Sequence, residues 1–124
     1  MYENDEKYMS AALLEAEKAG PEVYPNPKVG AIIVFNGEIY NYLELKKELG
    51  LNGTPMGEAE ILLEAYLQWG ELFVEKCVGM FAIALYDHGV VKLYRDRFGK
   101  KPLYYLHRGE VFCFASEIKA LTPF

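Results

Sequence analysis

The stretch that most restricts how this chain can fold is Met80-Phe81-Ala82-Ile83-Ala84-Leu85-Tyr86-Asp87. Its side chains alternate with the period of a β-strand. Phe81, Ile83 and Leu85 point one way, and Ala82 and Ala84 the other. Both faces are apolar, one bulky and one small. Such a strand belongs between two layers, with something packed closely on the alanine side. A chain of 124 residues with 52 % apolar and 15 % aromatic content can build that core as a single domain.

Around this strand the local signals predict helices first and a meander last. Residues 5–19 have helical spacing, with Asn4 or Asp5 as cap and Gly20-Pro21 as stop. Tyr24-Pro25-Asn26-Pro27 reads as a stiff, extended connector. Val29 to Phe35 is a continuous apolar run, a buried strand. Asn36-Gly37 follows as a tight-turn signal, with Glu38 to Tyr40 as the return strand. Asn41 caps the next helix, with Glu44 three residues on in a box-like arrangement, and Gly50 closes it. Thr54-Pro55 starts a further helix, striped by Ile61, Leu62, Ala65, Tyr66 and Trp69. After the 80–87 strand come strands at Val90–Arg95, Leu103–Leu106 and Val111–Ala115. Ser116 caps a last helical turn. The class is α+β.

Formal charge is −5, from 13 basic and 18 acidic residues. An acidic domain offers no field to attract phosphate, so neither nucleic acid nor an anionic membrane is an expected partner. No apolar run approaches a membrane-spanning length, and the N-terminus is not a signal peptide. Cys77 and Cys113 sit among buried-looking neighbours and read as core thiols. A reducing, cytoplasmic setting is the expectation, with no cofactor and no metal.

Five blocks then carry a family resemblance. They are Val34-Phe35-Asn36-Gly37-Glu38-Ile39-Tyr40-Asn41-Tyr42; Glu60-Ile61-Leu62-Leu63-Glu64-Ala65-Tyr66 with Trp69-Gly70; Gly79-Met80-Phe81-Ala82-Ile83-Ala84; Arg95-Asp96-Arg97-Phe98-Gly99 with Lys101-Pro102-Leu103-Tyr104-Tyr105; and Phe114-Ala115-Ser116-Glu117-Ile118-Lys119-Ala120-Leu121. In that order they resemble the class II glutamine-amidotransferase domain of asparagine synthetase. The resemblance implies a four-layer αββα, Ntn-hydrolase-like sandwich, here partial. It implies a thiol that attacks the side-chain amide of glutamine, and an oxyanion hole at Asn36 and the N–H of Gly37. It places Glu38 in the glutamine site, with Glu58 as an altered replacement for the family's amine-binding aspartate.

The sequence also departs from that family. The residue after Met1 is Tyr2, not cysteine. Only 35 residues precede Asn36, and none matches the family's arginine-bearing strand. The front, chiefly Pro25-Asn26-Pro27-Lys28-Val29-Gly30-Ala31-Ile32-Ile33-Val34, resembles instead the riboflavin-pathway zinc deaminases. Their His-x-Glu and Pro-Cys-x-x-Cys motifs correspond here to Glu58-Ala59-Glu60 and Lys76-Cys77-Val78-Gly79-Met80, which lack the histidine and the second cysteine. His88 and His107 fall in turn and strand contexts and are not ligand candidates.

These readings make residues 1–34 a deaminase-like front and 35–124 a glutaminase-like rear. The expectation is a recombined or designed scaffold without activity, its oxyanion hole vestigial. An amide-binding module and a degenerate zinc deaminase are the alternatives, and a three-layer α/β/α sheet is the alternative fold. A homodimer that covers exposed sheet, and a glutamine-like ligand, complete the expectations.

Overall fold

The computed structural model describes residues 22–26 and 31–124. The helix expected over 5–19 lies outside them. Four strands form one antiparallel sheet in the order β1 (Glu22–Asn26), β2 (Ala31–Ile39), β3 (Gly79–Asp87) and β4 (Val90–Arg95). A separate antiparallel pair joins β5 (Tyr104–Arg108) to β6 (Val111–Ala115). Two α-helices, α1 (Tyr42–Glu48) and α2 (Glu58–Trp69), lie between β2 and β3 in sequence, followed by a 3₁₀ segment, Gly70–Lys76. The class is α+β, as the sequence implies. Every described strand pairing is antiparallel, which removes the three-layer α/β/α alternative.

The alternating strand behaves as its pattern requires. Phe81, Ile83 and Leu85 enter a core with Ile33, Phe35 and Ile39 of β2 and Ile61, Leu62, Leu63 and Ala65 of α2. Ala82 and Ala84 point to the opposite face, and both are buried there beside Val34. Phe73, fully buried in the 3₁₀ segment, meets the rings of Tyr66 and Tyr94 edge-on at 5.8 and 5.1 Å. A polar seam closes the same side: the Tyr66 hydroxyl donates to Asp87 at 2.7 Å, and Lys92 donates to Tyr66 at 3.1 Å.

Several local expectations are corrected. Asn36-Gly37 is not a hairpin turn. β2 runs straight through it for nine residues, paired to β3 from Ala31↔Asp87 to Ile39↔Gly79. The turn signal is local, and nine rungs of ladder outweigh it. The Tyr24-Pro25-Asn26 stretch is extended as expected, but it is a strand, paired from Glu22↔Phe35 to Asn26↔Ala31. Helix α2 starts at Glu58 with Gly57 as cap, three residues beyond Pro55. Asn41 makes no side-chain cap bond, and the cap position of the last 3₁₀ turn (Ile118–Leu121) is Glu117, one residue after Ser116.

Candidate functional site

Strand alternation decides what Gly37 presents. Phe81, its partner in β3, uses both backbone groups on Asp96: its N–H donates to Oδ2 at 3.2 Å, and its carbonyl accepts from the Asp96 N–H at 3.0 Å. Those groups face β4, so Gly37↔Phe81 is a non-hydrogen-bonded rung. The neighbours keep the phase. Tyr40 N–H turns toward β3 and donates to Val78 at 2.7 Å, while Ile39 N–H turns away and reaches Glu58 Oε2 at 3.4 Å. Gly37 N–H therefore faces away from β3, on the β1 side, two residues past the last described pair of that ladder, Glu22↔Phe35.

The backbone there is unusual. Gly37 has φ 133°, and a Cβ at this position would lie 2.0 Å from the Met80 carbonyl oxygen. Only glycine fits a rung this close. Asn36, opposite Ala82, and Glu38, opposite Met80, sit on the alanine face, half-buried and exposed respectively. Glu58 approaches from the first turn of α2 on the helix side. All four sequence-derived residues thus gather around one end of β2, but from two faces of the sheet.

Two supports around this end escaped sequence reading. Asn41 is the first. Its Nδ2 donates to the Lys76 carbonyl at 2.8 Å, and its Oδ1 accepts from Val78 N–H at 2.9 Å. It fastens the chain on both sides of Cys77 instead of capping α1. The second is Asp96, 5 % exposed. Besides Phe81, its carboxylate accepts from the N–H groups of Phe98, Lys100 and Lys101 at 3.0–3.1 Å. Burial alone would raise its pKa, but the four N–H groups outweigh that and pull it down to about 2. Arg95 and Arg97 tie the same loop to Gly99 and Lys101 and to Glu75 and Cys77 carbonyls. Asp96 lies in the Arg95-to-Gly99 block of the resemblance, and an aspartate three residues before a loop glycine has the composition of a side-chain-bridged turn, but neither signal gave it a role.

Cys77 is the core thiol expected. It is fully buried, donates to the Phe73 carbonyl at 3.4 Å, and burial pushes its pKa up to about 12, despite the opposing charge of Arg97. Such a thiol is not a nucleophile. Cys113, in β6, is also raised by burial. Among the described residues no three His, Cys, Asp or Glu side chains converge as a metal site. No described helix is long and apolar enough to cross a membrane.

Comparison with known proteins places this geometry. The glutamine amidotransferase domain model matches residues 9–124. Asparagine synthetase (glutamine-hydrolyzing) 3 of Bacillus subtilis is 42 % identical over 94 residues, covering 72 % of this chain and 15 % of that protein. Asparagine synthetase (glutamine-hydrolyzing) 2 of the same organism is 39 % identical over 105 residues, covering 82 % and 14 %. The chain thus spans less than a fifth of the length of these relatives. Among solved structures, glutamine phosphoribosylpyrophosphate amidotransferase from B. subtilis, complexed with ADP and GMP, superposes with a TM-score of 0.67 at 19 % identity. That match covers 82 % of this chain and 25 % of that one, and it speaks for the fold.

These findings correct the expectation of an inactive, recombined scaffold. The family match begins at residue 9 and crosses the supposed junction at residues 34–35. The relatives aligned over most of the chain are named as glutamine-hydrolyzing enzymes, which points away from an inert scaffold and from a zinc deaminase. This chain belongs to the glutamine amidotransferase domain family.

Proposed function

We propose that this chain acts on glutamine as part of a glutamine amidotransferase. The end of β2 receives the side-chain amide. Gly37 N–H and the Asn36 carboxamide stabilise the oxyanion that forms when a nucleophile adds to the amide carbon; collapse of that adduct breaks the C–N bond, the nitrogen takes a proton and leaves as ammonia, and water supplies the oxygen of the glutamate released. Glu58 takes the charged amine of the substrate from the helix side, and Glu38 borders the glutamine site on the other face of the sheet. The observation that carries this reading is the Gly37 N–H, turned off the β2–β3 ladder at a rung only glycine can occupy. Neither Cys77 nor Cys113 has the character of an attacking thiol, so the roles assigned to these residues are amide binding and oxyanion stabilisation.

Titration calorimetry with glutamine tests the reading. The wild-type chain should bind, and Asn36→Ala should bind up to about tenfold more weakly, the loss expected for one hydrogen bond to the neutral amide oxygen of the bound substrate. Equal heats from the two proteins, or none from the wild type at millimolar glutamine, would refute it. Ammonia release that falls in Asn36→Ala would extend the assignment from binding to catalysis. The two free cysteines fit a cytoplasmic setting. A homodimer would cover the apolar side chains left exposed on the second sheet and its flanking loop, Phe98 and Tyr105 among them.

A further inference from the structure

We infer that Gly79 is a positioning residue for the oxyanion-binding N–H of Gly37. The inference rests on the function proposed above. Gly79 is opposite Ile39, two rungs from the Gly37↔Phe81 pair. A Cβ on Gly79 would lie 2.1 Å from the Glu38 carbonyl oxygen and 3.1 Å from Ile39 Cα. Gly37 mirrors it, with the Met80 carbonyl at 2.0 Å from its own missing Cβ. The two glycines are a diagonal pair that lets the backbones of β2 and β3 close on each other at one spot.

What gives Gly79 its influence is the anchoring of β3 on either side of it. Val78 is held by Asn41 Oδ1, and Phe81 by both the carboxylate and the N–H of Asp96. Asp96 is itself fastened by three more N–H groups of its own loop. Added bulk at Gly79 therefore cannot be absorbed by β3. The strand that yields is β2, at Glu38, and Gly37, whose N–H belongs to the proposed site, is the residue just before it. The displacement needed to relieve a 2.1 Å approach is more than an ångström, a misplacement that costs heavily in preorganised sites.

Gly89 supplies the control. It also has a positive φ, 85°, but a Cβ there meets nothing within 4 Å. Gly79→Ala and Gly89→Ala therefore share a backbone penalty and differ in the close approach. The experiment uses the full chain, its Gly37 amide resonance in a proton–nitrogen correlation spectrum, and glutamine titration. Gly79→Ala should move the Gly37 resonance and weaken glutamine binding about tenfold or more, while Gly89→Ala changes neither. An unmoved Gly37 resonance in Gly79→Ala overturns the inference. So does an equal loss of binding in Gly89→Ala, which would mark a general loss of stability. If Gly79→Ala does not fold, Asp96→Asn releases Phe81 from the far side of β3. Gly37 should then shift, and an unmoved resonance is equally decisive against the inference. If the wild type binds no glutamine, the functional proposal fails, and the Gly37 resonance still decides the role of Gly79.

Discussion

Replacing Asn41 with serine separates two physical roles that one residue could play. A helix cap needs only a short side-chain oxygen, and serine is as good a cap as asparagine. A clamp needs both a donor and an acceptor, held one bond farther out. In this structure Asn41 is the clamp: Nδ2 donates to the Lys76 carbonyl at 2.8 Å and Oδ1 accepts from Val78 N–H at 2.9 Å, with no side-chain cap bond to its own helix. Two net hydrogen bonds are worth roughly 1–3 kcal/mol, and the site is partly open to solvent, so about 1–2 kcal/mol is the expected loss. The hydroxyl of serine cannot span both partners. Urea unfolding should show Asn41→Ser destabilised by about that amount at an unchanged slope. Hydrogen exchange should show lost protection at Val78. A serine variant within about 0.3 kcal/mol of wild type would mean that capping, not clamping, is what this asparagine contributes.

Other outcomes follow from the same geometry. The Asp96 carboxyl has its folded pKa pulled from 3.8 to about 2, so the stability it contributes is present above pH 4 and disappears as pH falls toward 2. Asp96→Asn should flatten the stability profile across that window, and an unchanged slope would exclude the carboxylate as its source. In the native state Cys77 should resist alkylation at pH 8 while Cys113 reacts first, since Cys77 is fully buried and Cys113 only partly. Mass spectrometry of partly labelled protein reads the order, and the reverse order would contradict the burial. Light scattering at tens of micromolar should report a dimer mass, and a monomer would remove the proposed cover over the aromatic surface where Phe98 is 87 % exposed.

Much of the fold was legible because side-chain alternation depends only on strand period and burial. β3 and β4 fall where the pattern puts them, and Phe81, Ile83 and Leu85 are buried as a set. His88-Gly89 makes the turn between those strands, with φ of 47° and 85°. The misreadings came where two local grammars coincide. Asn36-Gly37 has the composition of a hairpin turn, and a glycine able to take positive φ serves a close strand approach equally well. Asn41 has the composition of a cap, and the same carboxamide serves a clamp. Thr54-Pro55 marks a helix start, yet the helix waits for Gly57 and Glu58.

The candidate site divides along the same line. Residue order alone identified Asn36, Gly37, Glu38 and Glu58, because the blocks around them resemble a family whose chemistry needs those types. It could not show that Gly37 N–H faces away from the ladder, since hydrogen-bond phase is a property of pairing with β3 and not of β2 itself. Nor could it show that Asp96 sets that phase from the opposite edge of β3, fifteen residues away from the Phe81 backbone it grips. The sequence by itself determined the class, the buried strand and the family. The tertiary structure decided which backbone groups at the end of β2 turn away from β3, because only neighbouring strands determine which way each N–H points.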